Sequence, residues 1–309
     1  MLNTTAKGMI ISMKKAGLYA YTLLTIQSMV WGSSFQAIKY ALEGFGPMSV
    51  AAGRIFIAAM VLLAYALLKG ERLPRSITTW LHLLLIGFFS CALPFFLIPW
   101  GEQFLDSGRA AIFMATSPLI AIVLAHFTSS NEHITRYKTA GFLLGFMGVL
   151  CVIGIDTFDS GMGELLPQLA IILAAASYVI SGAMVKQVEG LSSAMLSAGV
   201  LMGACLITVP ASLWLESPLS QAATVPDSAM IALVYLGLVP TGAAFVVRFY
   251  LIRLYGYTFI AQVGYLVPIF SVFFGVVLLG EVLTLTMLAG LLLILGGILL
   301  SRKETKPPT

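Results

Sequence analysis

Ten apolar runs of membrane-crossing length follow one another along the chain, with only short polar connections between them. They cover about 18–38, 48–68, 80–98, 108–127, 138–155, 165–185, 193–214, 229–249, 258–279 and 284–301. A helix needs about 20 apolar residues to cross the roughly 30 Å hydrocarbon core of a bilayer. Lipid admits only segments that satisfy their own backbone hydrogen bonds. The pattern therefore predicts an all-α integral membrane protein with ten transmembrane helices. Composition supports it: 59% of the 309 residues are hydrophobic and 10% are charged, against about 25% charged in a soluble domain. The mean hydropathy is +0.99. The longest polar connection, near Glu216 to Ser228, is too short to hold a soluble catalytic or binding domain.

Lys7, Lys14 and Lys15 precede an apolar run that starts at Leu18. That order resembles a signal peptide, but no small-x-small cleavage site follows and the run continues to about Tyr40. It reads as the first span, with residues 1–17 as a cytoplasmic segment; Met13-Lys14-Lys15 also reads as a plausible translation start. Charge sets the orientation. Lys7, Lys14, Lys15, Lys69, Arg72, Arg75, Arg136, Lys138, Lys186, Arg253, Arg302, Lys303 and Lys306 fall on one side of the predicted topology, and Lys39 and Arg109 on the other. Cytoplasmic loops carry the excess of Lys and Arg. Both termini, including the tail 302–309, are thus expected in the cytoplasm, with the chain in the cell (inner) membrane. The acidic loop Asp156–Glu164, which has no Lys or Arg, is expected to face outward.

The chain also repeats itself. Glu132-His133-Ile134-Thr135 and Glu281-Val282-Leu283-Thr284 each precede an apolar run, and at the same offset Ala140-Gly141 matches Ala289-Gly290. Gly148 matches Gly297; upstream, Gly87 and Pro118 match Gly237 and Pro268. Two repeats follow, 18–155 and 165–301, each with five spans. Five is odd, so the second copy enters the membrane upside down relative to the first. Inverted repeats are a recurring transporter architecture, since two related halves can open to opposite sides in turn.

Several short motifs then resemble a known family. Val30-Trp31-Gly32-Ser33-Ser34-Phe35 resembles the opening of the EamA family, within the drug/metabolite transporter superfamily. Ala52-Gly53-Arg54-Ile55, Gly101-Glu102-Gln103-Phe104 with Ser107-Gly108-Arg109-Ala110-Ala111, and Gly280-Glu281-Val282-Leu283-Thr284 resemble its later elements. Ser130-Asn131-Glu132 departs from the pattern, because its turn lacks the Gly of Leu279-Gly280-Glu281. The resemblance covers nearly the whole chain. It implies ten helices in two inverted repeats, a central cavity, and export of amino acids or other metabolites by alternating access.

Charged side chains at membrane depth are costly and mark function by default. Arg54, about six residues into the second span, could hold a substrate carboxylate through its planar fork, or anchor a helix. Arg248 lies near the cytoplasmic end of the eighth run, where snorkelling to the interface is expected. Glu102 follows Pro94, Pro99 and Gly101, which should distort the outer end of the third span. A carboxyl group withdrawn from water can exchange protons, so Glu102 is the candidate for coupling or gating, with Gln103 beside it; the alternative is an outer-loop Glu paired with Arg109. His82 and His126 sit near span ends, so facilitated diffusion stays open beside proton coupling.

Trp31 and Tyr178 fall at matching depths in the first span of each repeat, and with Tyr265, Gln262 and Arg54 form the expected substrate-binding set. Trp100 and Tyr257 sit at span ends, as an aromatic belt would. Pro118 and Pro268 are expected helix hinges. Gly141-x-x-x-Gly145 and Gly199-x-x-x-Gly203 allow close helix approach, within one chain or between subunits of a weak homodimer. Cys91, Cys151 and Cys205 lie in apolar runs without a C-x-x-C pair. No metal or cofactor site is expected. A membrane-embedded enzyme would need a cluster of Asp, His or Cys at one depth, and no catalytic motif is present. No basic face points to nucleic acid; the expected partners are the bilayer and a small-molecule substrate.

Overall fold

The computed structural model describes residues 2–128, 136–153, 162–185, 188, 190–218, 224–255, 257–260 and 262–301. Residues 132–135, most of the 156–164 loop, Lys186 and the 302–309 tail lie outside them, as do the side chains of residues 2–17, His126, Arg253 and Tyr257. Among the described residues every regular element is helical. The helices are α1 (Leu2–Leu42), α2 (Pro47–Leu68), α3 (Ile77–Gly87, continuing through a π turn at Phe88–Ala92 into Leu93–Glu102), α4 (Ser107–Met114), α5 (Ser117–Thr128) and α6 (Arg136–Ile153). Then come α7 (Met162–Met184), α8 (Ser193–Leu215), α9 (Asp227–Leu236, through a π stretch at Gly237–Ala243 into Ala244–Tyr255), α10 (Val263–Leu279) and α11 (Leu285–Ser301). A single turn, Tyr257–Ile260, precedes α10.

Among the described residues, six segments are long and apolar enough to cross a bilayer: Pro47–Leu68, Ile77–Glu102, Arg136–Ile153, Leu165–Met184, Ser193–Leu215 and Asp227–Leu251. Val263–Leu279 and Leu285–Ser301 are apolar but shorter. Several boundaries differ from the sequence reading. Helix α1 begins at Leu2 without a break at Leu18. The fourth run divides into α4 and α5, because Pro118 has no N–H to carry a helix on from Met114. The ninth divides between Ile260 and Val263. The third run stays helical past Pro94 and Pro99; its distortion is the π turn just upstream of Pro94.

Packing pairs helices from the two halves of the sequence. Helix α1 lies on α9 and α10, α7 on α3, α4 and α5, α2 on α8 and the π stretch of α9, and α6 on α11. Glycines set the closest approaches. A Cβ on Gly32 would lie 2.7 Å from the Phe270 Cβ, so only glycine lets α1 reach α10. On α6, Gly141 and Gly148 meet the backbone carbonyls of Gly297 and Gly290, while Gly145 faces Leu119 of α5. Gly199 and Gly203 face Leu83 and Leu84 of α3. Both small-residue motifs thus pack within the chain.

Two carboxylates cap helices across the halves. Met48 and Ser49, in the first turn of α2, donate their N–H groups to the carboxylate of Glu216 at 2.9 and 2.7 Å. Ser107 and Gly108, at the start of α4, donate to the carboxylate of Glu281 at 2.7 and 3.0 Å. An anion there satisfies orphan donors and complements the helix dipole. Gly280 explains how Glu281 arrives: it ends α10 at φ 66°, a left-handed conformation that glycine adopts without cost. The Glu281 N–H then returns to the Gly275 carbonyl (3.1 Å).

Candidate functional site

The two π segments flank the interior, and each leaves backbone carbonyls for the opposite half to satisfy. In α3, the Leu93 N–H bonds the Phe88 carbonyl. The next donor in that register is Pro94, which has none. The Ser177 hydroxyl of α7 takes the spare Phe89 carbonyl (2.6 Å). In α9, the Trp31 Nε1–H of α1 donates to the Pro240 carbonyl, and Gln27 Nε2–H to the Ala244 carbonyl, each at 2.9 Å. A helix that changes hydrogen-bond register at a π turn is common at functional sites.

A cavity of about 200 Å³ has in its wall Pro240 of the second π segment and, from the other half of the sequence, Phe95 just past the first. Trp31 and Phe35 of α1, Arg54 of α2, Phe95 of α3, Tyr178 of α7 and Phe245 with Arg248 of α9 contribute to its wall, as do Pro118 and Pro268. Arg54 is 3% exposed and Arg248 6%. The Arg54 Nε–H donates to Thr241 Oγ1 (3.0 Å), and its guanidinium carbon lies 3.9 Å from the centroid of the Phe95 ring. Among the described residues Arg54 makes no other hydrogen bond and no ion pair. The Arg248 guanidinium carbon is 5.8 Å from the ring centroids of both Phe245 and Phe249. It therefore belongs to the cavity wall, and the interfacial snorkelling expected from its place near a run end is corrected. The π stretch upstream is the physical reason. One extra residue in a helix turns everything after it by about 100°, which swings Arg248 inward.

The other sequence candidates fall elsewhere. Gln262 and Tyr265 flank the cavity without lining it; Ile260, Val263 and Gly264 form the wall at that point. Pro118 stands at the break between α4 and α5 and Pro268 lies within α10. Gln103 is exposed in the turn after α3. Glu102 is 0% exposed, and neither carboxylate oxygen has a hydrogen-bond partner among the described residues. Lys39, Glu281 and Arg54 are the charges close enough to act on it, and Lys39 Nζ donates to its backbone carbonyl (2.6 Å). Pairing with Arg109 is not what holds it: Arg109 donates instead to the carbonyls of Val152 and Ile153, at 3.0 and 3.3 Å. Beside Glu102 in sequence, Ser107 accepts from Gln36 Nε2 (2.8 Å), which also donates to the Ser271 carbonyl (2.9 Å). Gln36, Thr241 and Arg248 had no motif to mark them. Pro240, which signals a distorted helix, was the available clue to the last two.

The sequence profile of the EamA-like transporter family matches residues 18–154 and 165–302. The chain belongs to that family. Its EamA-like relatives include the uncharacterized transporter YoaV of Bacillus subtilis, 27% identical over 89% of this chain and 93% of its own. The S-adenosylmethionine/S-adenosylhomocysteine transporter of Chlamydia muridarum is 27% identical over 88% of this chain and 89% of its own. The "Probable terminal-alkyne amino-acid exporter" of Streptantibioticus cattleyicolor is 28% identical over 91% and 93%. One crystal structure matches 92% of this chain and 98% of its own with a TM-score of 0.66 at 19% identity, a likeness of fold. As an EamA-like protein the chain is a multi-pass membrane protein of a transporter family, and the cavity walled by both halves is the candidate place for a solute.

Proposed function

We propose that this EamA-like protein exports small organic metabolites, amino acids or related compounds, by alternating access through the central cavity. The observation that carries the reading is that one interior cavity draws its wall from both halves, with Trp31, Arg54 and Pro118 from the first and Tyr178, Arg248 and Pro268 from the second. A solute held between two halves can be released to either side as the halves rock. Relatives that bear the names of an S-adenosylmethionine/S-adenosylhomocysteine transporter and an amino-acid exporter fit small organic cargo.

The proposed architecture is ten spans in two inverted repeats, 18–155 and 165–301, with residues 1–17 and 302–309 at the cytoplasmic face of the cell (inner) membrane. The cross-half pairing of α1 with α10 and α7 with α4 and α5 supports it, as do the paired π segments at one sequence offset. In this reading Trp31, Arg54 and Tyr178 contact the solute, Gln262 and Tyr265 stand behind that contact, and Pro118 and Pro268 bend the helices. Glu102 couples or gates movement, with Gln103 at its outer edge. Because the small-residue motifs are used inside the chain, a monomer or weak homodimer suffices.

Proteoliposomes loaded with a metabolite mixture test the function directly. Time-dependent, protein-dependent loss of a defined solute is the expected result, and retention of every solute would overturn the reading.

A further inference from the structure

We infer that the solute of this cavity is an organic anion, a carboxylate on an apolar or aromatic body that carries no free ammonium group. The inference rests on the cavity being the transport site; among the small organic metabolites proposed above it favours such anions over amino-acid zwitterions.

Two cations from different halves face one cavity. Arg54 and Arg248 are both almost fully buried, both line the cavity, and Tyr178 lies within electrostatic reach of each. No Asp or Glu is among the described residues that line it; Glu102, the buried acid nearest in the fold, is outside the wall. Buried charge without a direct ion pair is expensive, and Glu102 acts on Arg54 only from outside the wall, so the occupied state is favoured by a ligand that brings a negative charge to the guanidinium groups themselves. The guanidinium fork matches a carboxylate two bonds at a time.

An amino-acid zwitterion would bring an ammonium group too, and that group has no acid to meet. Aromatic faces could hold it instead, but Arg54 already covers Phe95, Arg248 sits by Phe245, and Tyr178 lies within electrostatic reach of both guanidinium groups, so an ammonium at any of these faces would meet like charge. The Phe95 and Phe245 rings meet edge to face, with centroids 6.4 Å apart. They form an aromatic pair that already carries both guanidinium groups. Phe35, Ile38 and Val267 complete an apolar wall suited to a hydrocarbon or aryl body.

The test uses three probes that share one aromatic body: phenylpyruvate as the anion, L-phenylalanine as the zwitterion and phenethylamine as the cation. Each is titrated against the purified full-length protein in mild detergent by calorimetry. Phenylpyruvate is expected to bind at least about tenfold more tightly than phenylalanine, with phenethylamine weakest, since a hydrogen bond to a charged group is worth about that factor. Arg54→Gln and Arg248→Gln should each weaken phenylpyruvate by about tenfold or more, and the Lys variants should fall between. Where a Gln variant does not give monodisperse protein, the ranking of the three probes on the unaltered chain decides. Equal or tighter binding of phenylalanine or phenethylamine overturns the inference. So does an absence of phenylpyruvate binding, or an unchanged affinity in both Gln variants. The same probes in proteoliposomes separate the two readings. Phenylpyruvate that binds but never leaves the vesicle removes the transport function and leaves the anion site; phenylalanine efflux without phenylpyruvate binding does the reverse.

Discussion

Replacing Glu281 by Ala removes the cap of α4 and isolates its worth. The carboxylate accepts from Ser107 and Gly108 at 2.7 and 3.0 Å, and both donor residues are buried, so water does not replace it freely. A hydrogen bond to a charged group contributes about 1.5–3 kcal/mol. The two bonds share one carboxylate and Glu281 is half-buried, so they do not add in full; about 3 kcal/mol for the pair is the working figure. At about 2 °C per kcal/mol for a chain of this size, Glu281→Ala should lower the unfolding temperature in mild detergent by about 6 °C. Glu281→Gln keeps an acceptor and loses the charge, and should fall by about half as much. Val282→Ala, at an exposed neighbour, is the control and should not move. Fluorescence-detected gel filtration after a heating series reads all three. If Glu281→Ala unfolds within about 1 °C of the unaltered chain, the cap does not hold the two halves together and the reasoning fails.

Trp31→Phe keeps the ring in the cavity wall and strips the Pro240 carbonyl of its donor; a loss of about 1–3 kcal/mol is expected, seen as an unfolding temperature lower by several degrees in the same assay. Glu102→Gln should abolish any dependence of efflux on an imposed proton gradient in proteoliposomes; intact dependence would move coupling to another group. For the topology, in a background without Cys91, Cys151 and Cys205, a membrane-impermeant thiol reagent should label Ser160→Cys on whole cells. Ser76→Cys should label only after permeabilisation, and the opposite pattern would invert the orientation.

Which residues come together was partly legible in the sequence, and facing was not. The position of a residue within an apolar run says how far it lies from a run end, and on that basis Trp31, Arg54 and Tyr178 were placed together. Which side of a helix looks inward depends on its rotation against its neighbours. That is why Val263 and Gly264, and not Gln262 and Tyr265, meet the cavity. Arg248 shows the same limit from another side: its depth suggested an interface, and a π stretch that the sequence marked only with Pro240 turned it inward. The roles of Glu216 and Glu281 could not be read locally at all. Each caps a helix more than a hundred residues away, so the motif Gly280-Glu281 makes physical sense only once α4 is beside it.

The seam between α6 and α11 has a mechanical consequence. It is made where glycine backbones touch, Gly141 and Gly148 against Gly297 and Gly290, with Val152, Ile294 and Ser301 packed beside them, and so close a backbone approach leaves little room for the two helices to shift against each other. Neither helix contributes to the cavity wall. The pair is thus a stiff strut that joins the helix ending each half of the sequence and stands apart from the helices that form the cavity wall. In the proposed rocking of the halves, such a strut would give the moving parts a common frame of reference, so that displacement of one half would be returned as an opposite displacement of the other.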